Sequence, residues 1–235
     1  MTAECSLFDV DRLELAFDPK PWAFAQEKRA EIEAYFAELQ RQKPAIWNGR
    51  ILLLHRHAIE AGVFRGAYLE TDYASFSAWC AWGLPAAGVS NCFGAAAIVA
   101  ADNAVLLGVM GAHTANAGHI YFPCGTPEPS DIFDGKVDLG ASVARELAEE
   151  TGCGIGDFAV APGWTAVRQG NRIVQLQTLR SALPAEALRA RMREHLASED
   201  QPELSDIHIV RGPDDYRPSM PDYVIAFLEH HFDRA

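Results

Sequence analysis

No Cys-x-x-Cys pair, no block of basic residues and no apolar run long enough to cross a bilayer occurs in this 235-residue sequence. Without CxxC pairs there is no zinc knuckle or dithiol redox motif. The five scattered cysteines (Cys5, Cys80, Cys92, Cys124, Cys153) are an odd number and read as reduced, small buried hydrophobes in a cytosolic chain. The shortage of base excludes nucleic acid as a partner: a phosphate backbone needs a cationic face, and here 32 acids against 20 bases leave a net charge of -12. The longest apolar stretch, Phe93 to Ala101, is too short for a membrane span and runs into Asp102 and Asn103. The first residues, MTAECSLFDVDRLEL, place no basic segment before an apolar core and so do not read as a secretory signal. Low-complexity runs are absent too, and 49% hydrophobic with 22% charged residues is an ordinary globular composition. The expectation is a soluble, cytoplasmic protein with a sizeable core and a small-molecule partner, bound neither to nucleic acid nor to membrane. An acidic protein still binds phosphates where a divalent cation inverts the local sign.

Apolar residues recur at helical spacing from Pro21 to about Arg41, with Asp18 as the expected cap. IWNGRILLLHRHAI and GVFRGAYLETDY read as two strands turning around Glu60 to Gly62, and YASFSAWCAWGLP as a short helix stopped by Gly83 and Pro85. Residues 1–90 are therefore expected to form a helix-hairpin-helix lobe. From Asn91 the pattern changes: FGAAAIVA and AVLLGVM form a buried hairpin across Asp102-Asn103, and HIYFPCG runs into a glycine turn. WTAVRQ and RIVQLQTLRS pair across Gly170-Asn171. Helices are expected at Pro184–Leu196 and Pro221–Phe232, with a short strand, IHIV, between them. Interleaved strands and helices predict an α/β (α+β) fold, a mixed sheet sandwiched between helices over residues 91–235.

The segment Val143 to Gly154, VARELAEETGCG, carries the most unusual chemistry. Helical spacing puts Glu146, Glu149 and Glu150 in one region of space. Glu146 and Glu150 repel at i,i+4, at roughly 0.2–0.5 kcal/mol. Gly152 is placed to end the helix, so Glu149 and Glu150 also oppose the negative end of its dipole, at about 0.3–1 kcal/mol each. Arg145 gives only local relief, pairing with Glu149 in the weaker orientation. A divalent cation resolves the conflict, because hard cations such as Mg²⁺ seek carboxylate oxygens beside phosphates; a solvated acidic face is the plain alternative.

Arg145-Glu146-Leu147-Ala148-Glu149-Glu150-Thr151-Gly152-Cys153 resembles REUxEExGU, the C-terminal half of the Nudix box, where U is apolar. Phe122-Pro123-Cys124-Gly125 stands where that family has a strand ending in a Pro-Gly-rich loop. The chain departs from the family between them: the interval from Gly125 to Arg145 is longer than the G-x5-E-x7-R spacing, with Asp131 in place of the loop glutamate and IFDGKVDL as an apparent insertion. A further resemblance, to UDP-glucose pyrophosphatase-type Nudix proteins, rests on three stretches: Trp47-Asn48-Gly49, Thr71-Asp72-Tyr73-Ala74-Ser75-Phe76 with Trp79, and the loop Gly125-Thr126-Pro127-Glu128-Pro129.

The resemblance implies a Nudix-type fold, and because members of that family often dimerise it leaves a homodimer open. It also implies an Mg²⁺-dependent diphosphatase, with Mn²⁺ as the alternative cation, that hydrolyses a nucleoside diphosphate linked to another moiety. The substrate implied is a nucleotide sugar such as UDP-glucose, giving UMP and sugar 1-phosphate. Glu149 and Glu150 would be metal ligands and Glu146 a ligand or the base; the Gly125 carbonyl would complete the shell, and Arg145 would orient Glu149. A base or extra ligand from a later loop would be Glu199, Asp200, Glu203 or Asp206, with Glu203 preferred. Arg168 and Arg172, beside the Gly170-Asn171 turn, are candidate phosphate donors, with Arg56 and Arg65 as further ones. Tyr73, Phe76 and Trp79 are candidates for a pocket wall or for plain core. Cys124 has no histidine placed to activate it, His55-x-His57 reads as packing, and His230-His231 as a solvated helix end. Two rivals stand beside this reading. A catalytically inactive Nudix-fold ligand-binding or sensing module has no need of three destabilising acids. A prenyl diphosphate isomerase needs a Cys and Glu pair that the sequence does not identify.

Overall fold

The computed structural model describes residues 4–44 and 46–234. The chain begins with strands β1 (Cys5–Val10) and β2 (Arg12–Phe17), helices α1 (Ala23–Glu27) and α2 (Arg29–Gln42), the hairpin β3 (Arg50–Glu60) and β4 (Val63–Asp72), and α3 (Tyr73–Ala81). Next come β5 (Asn91–Val99), β6 (Val105–Met110), β7 (Ile120–Tyr121), β8 (Ile132–Phe133), β9 (Lys136–Val137) and α4 (Leu139–Thr151). The chain then forms β10 (Ala159–Val160), β11 (Trp164–Gln169), β12 (Arg172–Arg180), α5 (Ala185–Ser198), β13 (Leu204–Val210) and α6 (Asp222–Asp233). The fold is mixed α+β, with two mixed sheets and six helices among the described residues. No described helix is long and apolar enough to cross a membrane.

The large sheet runs β1-β11-β12-β5-β6-β13, with β10 on β12 and β7 on β6; β5 and β12 are parallel and the other pairs antiparallel. The small sheet runs β3-β4-β2-β9-β8, with β2 parallel to β4. Every residue of β5 is buried, as its unbroken apolar run requires of a strand covered on both faces. Alternate residues meet different helices. A Cβ on Gly94 would lie 2.6 Å from Val143 Cγ2 and 2.9 Å from the Leu139 carbonyl oxygen, so α4 lies against the strand where only glycine leaves room. Phe93 instead meets Tyr223 of α6 edge to face. One apolar cluster draws on both sheets, from Leu15, Leu54, Phe64 and Tyr68 to Cys92 and Ile173, and the Tyr68 hydroxyl donates to the Cys92 carbonyl at 3.0 Å.

Three sequence expectations change. The helix expected over Pro21–Arg41 is broken at Lys28 into α1 and α2, and Trp22 stands at the first N-cap with no side-chain cap. Asp18 instead faces His55 and Arg56, at 3.3 Å from each. Residues 5–17, given no element from the sequence, form β1 and β2, which join different sheets across Asp11 alone. IFDGKVDL is not a plain loop: it folds as the hairpin β8-β9, turned at Asp134 and Gly135 with φ of 48° and 71°, and reaches β2 at Ala16.

Candidate active site

Helix α4 starts under a real cap, the Asp138 carboxylate accepting from the Ala141 amide at 3.0 Å, and stops at Gly152, whose φ of 68° is left-handed. Its apolar stripe, with Val143 and Leu147 fully buried, fixes the rotation of the helix. That rotation turns Glu146 and Glu150 toward the segment after β7. This segment is held against β5 by the Ala96 amide, which donates to the Pro123 carbonyl at 2.9 Å, and by a bridge between Ala95 and Cys124. A Cβ on Gly125 would stand 2.0 Å from Glu146 Oε1, so the absence of a side chain there is what admits the carboxylate.

The surroundings of the acids fall into two parts. Arg145 Nη1 bonds Glu146 Oε1 at 2.6 Å and reaches Glu149 Oε2 at 3.4 Å, while Nη2 reaches Asp131 Oδ2 at 3.3 Å. Asp131 is 3% exposed and also accepts the Glu128 amide at 2.9 Å, so the aspartate in the glutamate's place ties the loop to α4 through Arg145. Glu150 has no such help. It is 3% exposed, and its Oε2 has no hydrogen-bond partner. An unpaired buried carboxylate is costly unless it is protonated or holds a cation.

Titration follows the same division. Burial raises the Glu146 carboxyl to about 7, against the pull of Arg145 and with added push from Glu149 and Glu203. Glu150 is raised too, by burial first and then by the charges of Glu203 and Glu146; the Cys124 amide opposes this. Glu203, just before β13, is also raised, by its partly desolvated setting and by Glu149, with His113 opposing. Glu149 itself is the open member, its side chain 61% exposed. The helix end is relieved by a residue no sequence pattern indicates: His195 Nε2 of α5 stands 3.2 Å from the Glu149 carbonyl oxygen, with its ring against Gly152.

Other predicted residues divide cleanly. Arg168 and Ile173 are register partners on one face of the sheet, and Arg172 lies on the other. Arg172 rests over the Tyr223 ring, 5.8 Å from its centre, and makes no hydrogen bond or ion pair among the described residues; its charge acts on Cys124 and Cys80. Arg168 is turned away, exposed, and acts on His57. Arg65 pairs with Glu14 at 2.9 Å and Arg56 with Asp18, both on the small sheet. Asp206 is taken by Arg193, and Glu199 lies near His195. Trp79 is fully buried core, its indole N–H donating to the Pro85 carbonyl at 2.9 Å. His57 stacks on Phe64. His231 is not a solvated end but stacks on Phe227, while His230 lies 3.9 Å from Asp9.

Sequence reasoning missed the tyrosines. Tyr121 and Tyr223, from distant elements, flank Cys124, and both phenols are pushed up by burial first and by neighbouring charges that include Glu150. The Cys124 thiol is pushed up by burial and by Glu150, Glu146 and Glu203, so it stays a neutral thiol rather than a nucleophilic thiolate. A cavity of about 690 Å³ lies at the other end of α4, between β2, Phe133 and Trp164, away from these titratable groups.

A buried carboxylate oxygen without a partner among the described residues, in the neighbourhood of Glu146, Glu149 and Glu203, suits a hard divalent cation. Among the described residues no three His, Cys, Asp or Glu side chains are yet gathered around one point, since Glu146 and Glu149 lean on Arg145.

No protein-family model matches the chain, and no curated protein matches it. Among solved structures it is similar to a Nudix hydrolase from M. smegmatis, RenU, at 14% identity over 61% of this chain and 83% of that one, with a TM-score of 0.36. A likeness of that degree decides neither fold family nor activity.

Proposed function

We propose that the chain is a divalent-cation-dependent diphosphatase of the Nudix type, acting on a nucleoside diphosphate linked to another group, with a nucleotide sugar such as UDP-glucose as the substrate class. The observation that carries this reading is Glu150, buried with Oε2 unpartnered inside the fully spelled REUxEExG helix. Glu150 and Glu149 would hold Mg²⁺, with the Gly125 carbonyl beside them and Glu146 as a further ligand or the base. A divalent cation there supplies neutralisation of phosphate charge and Lewis acidity toward water.

The chain's own groups account for the rest. Glu146, with a carboxyl near 7, is poised to take a proton from attacking water at neutral pH; Glu203 is the second group able to do so. Arg145 holds Glu146 and ties α4 to Asp131, which fixes where that proton is accepted. Arg172, without a carboxylate partner among the described residues, is a cation free to bind a phosphoryl oxygen. Tyr121, Tyr223 and Cys124 keep this recess apolar, which strengthens each charge interaction.

The test is product release from nucleotide sugars, dinucleotides and nucleoside triphosphates with Mg²⁺, comparing wild type with Glu149→Gln. Turnover of a nucleotide sugar to nucleoside monophosphate, lost in the variant, supports the reading; no turnover of any diphosphate derivative sinks it. A second reading takes support from one juxtaposition, the Cys124 thiol beside Glu146 and Glu150: isomerisation of a prenyl diphosphate. That activity would rearrange the diphosphate's organic group and release no phosphate product.

A further inference from the structure

The tryptophans of this chain differ sharply in surroundings. Trp22 and Trp79 are buried, whereas Trp47 is 74% exposed, the most exposed of the large hydrophobic side chains described. Trp47 is nonetheless not loose against the backbone. A Cβ on Gly49 would meet three atoms of the indole six-membered ring at 3.0–3.3 Å, so one ring face lies on the bare glycine and the other faces solvent.

The segment that carries Trp47 is fastened to the start of α3 by two hydrogen bonds, and the chain before it is fastened to residues 111–119 by a third. The Tyr73 amide donates to the Gly49 carbonyl at 2.8 Å, and the Ala74 amide to Asn48 Oδ1 at 2.8 Å, which locks the segment to the start of α3. The Tyr73 ring packs beside Phe36 and Phe76, and the Glu203 carboxylate is among the charges acting on its phenol. On the other side, Lys43 Nζ donates to the Thr114 carbonyl at 2.6 Å, within the connection between β6 and β7. That connection opens at Gly111, whose amide donates to the Glu203 carbonyl at 2.8 Å. Lys43 therefore ties the chain before Trp47 to residues 111–119, and that connection meets Glu203 at Gly111.

We propose that Trp47 is the stacking platform for the planar base of the nucleotide, with the rim of residues 46–49 and 111–119 as the base subsite. This rests on the diphosphatase reading above, since it takes the diphosphate to lie over the acids. A flat, pre-positioned aromatic face loses little freedom on binding and accepts any base, because every base has a π face. Selection among bases then falls to the polar groups of the rim, such as His113 and Asn116.

The experiment is calorimetric binding of UDP, ADP and inorganic pyrophosphate, with Mg²⁺, to wild type, Trp47→Ala and Trp47→Phe. Stacking worth what base–aromatic contacts commonly give predicts that Trp47→Ala weakens UDP and ADP by roughly tenfold or more. Pyrophosphate should bind unchanged, Trp47→Phe should recover most of the loss, and the melting temperature should not move. Equal affinity of wild type and Trp47→Ala for both nucleotides overturns the proposal while leaving the diphosphatase reading intact. So does a loss shared by pyrophosphate, or a wild type that binds UDP no tighter than pyrophosphate. If neither UDP, ADP nor pyrophosphate binds the wild type, both readings fall together.

Discussion

Around α5, three carboxylates meet arginines. Asp206 takes Arg193 through both oxygens at 2.6 and 2.8 Å, Asp157 takes Arg191 at 2.7 Å, and Asp102 takes Arg211 at 2.7 Å. In each case the arginine contact is the main cause holding the acid below its ordinary range. Around the C-terminal half of α4 the relation is reversed: burial first, and neighbouring acids after it, push the Glu146, Glu150 and Glu203 carboxyls up, and a single arginine serves Glu146, Glu149 and Asp131. The same chemical groups are spent on structure in one place and kept in reserve in the other. Exposed pairs contribute little to stability, so the first arrangement is cheap to lose. The second is held against an electrostatic penalty, which is the usual mark of a site with work to do.

The largest break in this contrast should come from Glu150→Gln. It keeps the shape and removes the charge, and hydrolysis should fall by roughly 100-fold or more in steady-state assays, the scale of losing a group that acts on transition-state charge. Gly125→Ala should come next. Its Cβ has to displace the Glu146 carboxylate, the far end of a flexible side chain, so activity drops about tenfold or more while the melting temperature stays within about 2 °C. The two arginines beside one turn sharpen the comparison further. Arg172→Ala should raise KM roughly tenfold, the scale of a lost charge-assisted hydrogen bond, and Arg168→Ala should leave KM unchanged.

The smallest effect is on stability against pH, measured by thermal melting without metal. Glu146 and Glu150 have folded pKa values above their unfolded ones, so their contribution is present below about pH 4.5 and is lost as pH rises through about 7 for Glu146. Asp206, Asp157 and Asp102 run the other way: their folded values are lowered, so their contribution is present above pH 4 or so and lost on acidification. The wild type should therefore melt a few degrees higher at pH 5 than at pH 8, and Glu150→Gln should narrow that gap. A gap of the same size in the variant would place the penalty elsewhere.

What the sequence discloses of this arrangement follows from which interactions are local. The span of α4, its end at Gly152 and the grouping of Glu146 with Glu150 depend on residues within one helix, and they are legible as a pattern of three and four. The hairpins at Glu60–Gly62 and Gly170-Asn171 are legible for the same reason. The strands at residues 5–17 are not, because β1 and β2 are short, mix charged with apolar residues, and take their identity from partners at residues 164–169 and 63–68. The Asp134-Gly135 turn carried its signal in plain view, but the strands on either side are only two residues long. Tyr121, Tyr223, Cys124 and Arg172 converge from β7, α6, the segment after β7 and β12, and no spacing rule links them.

The most direct test of the account is calorimetric titration of Mg²⁺ or Mn²⁺ into the apo protein at pH 7.5, wild type against Glu150→Gln. The account predicts saturable binding to the wild type and the loss of most of that heat in the variant. Wild type and variant binding the cation alike, or no saturable binding by either, would contradict it.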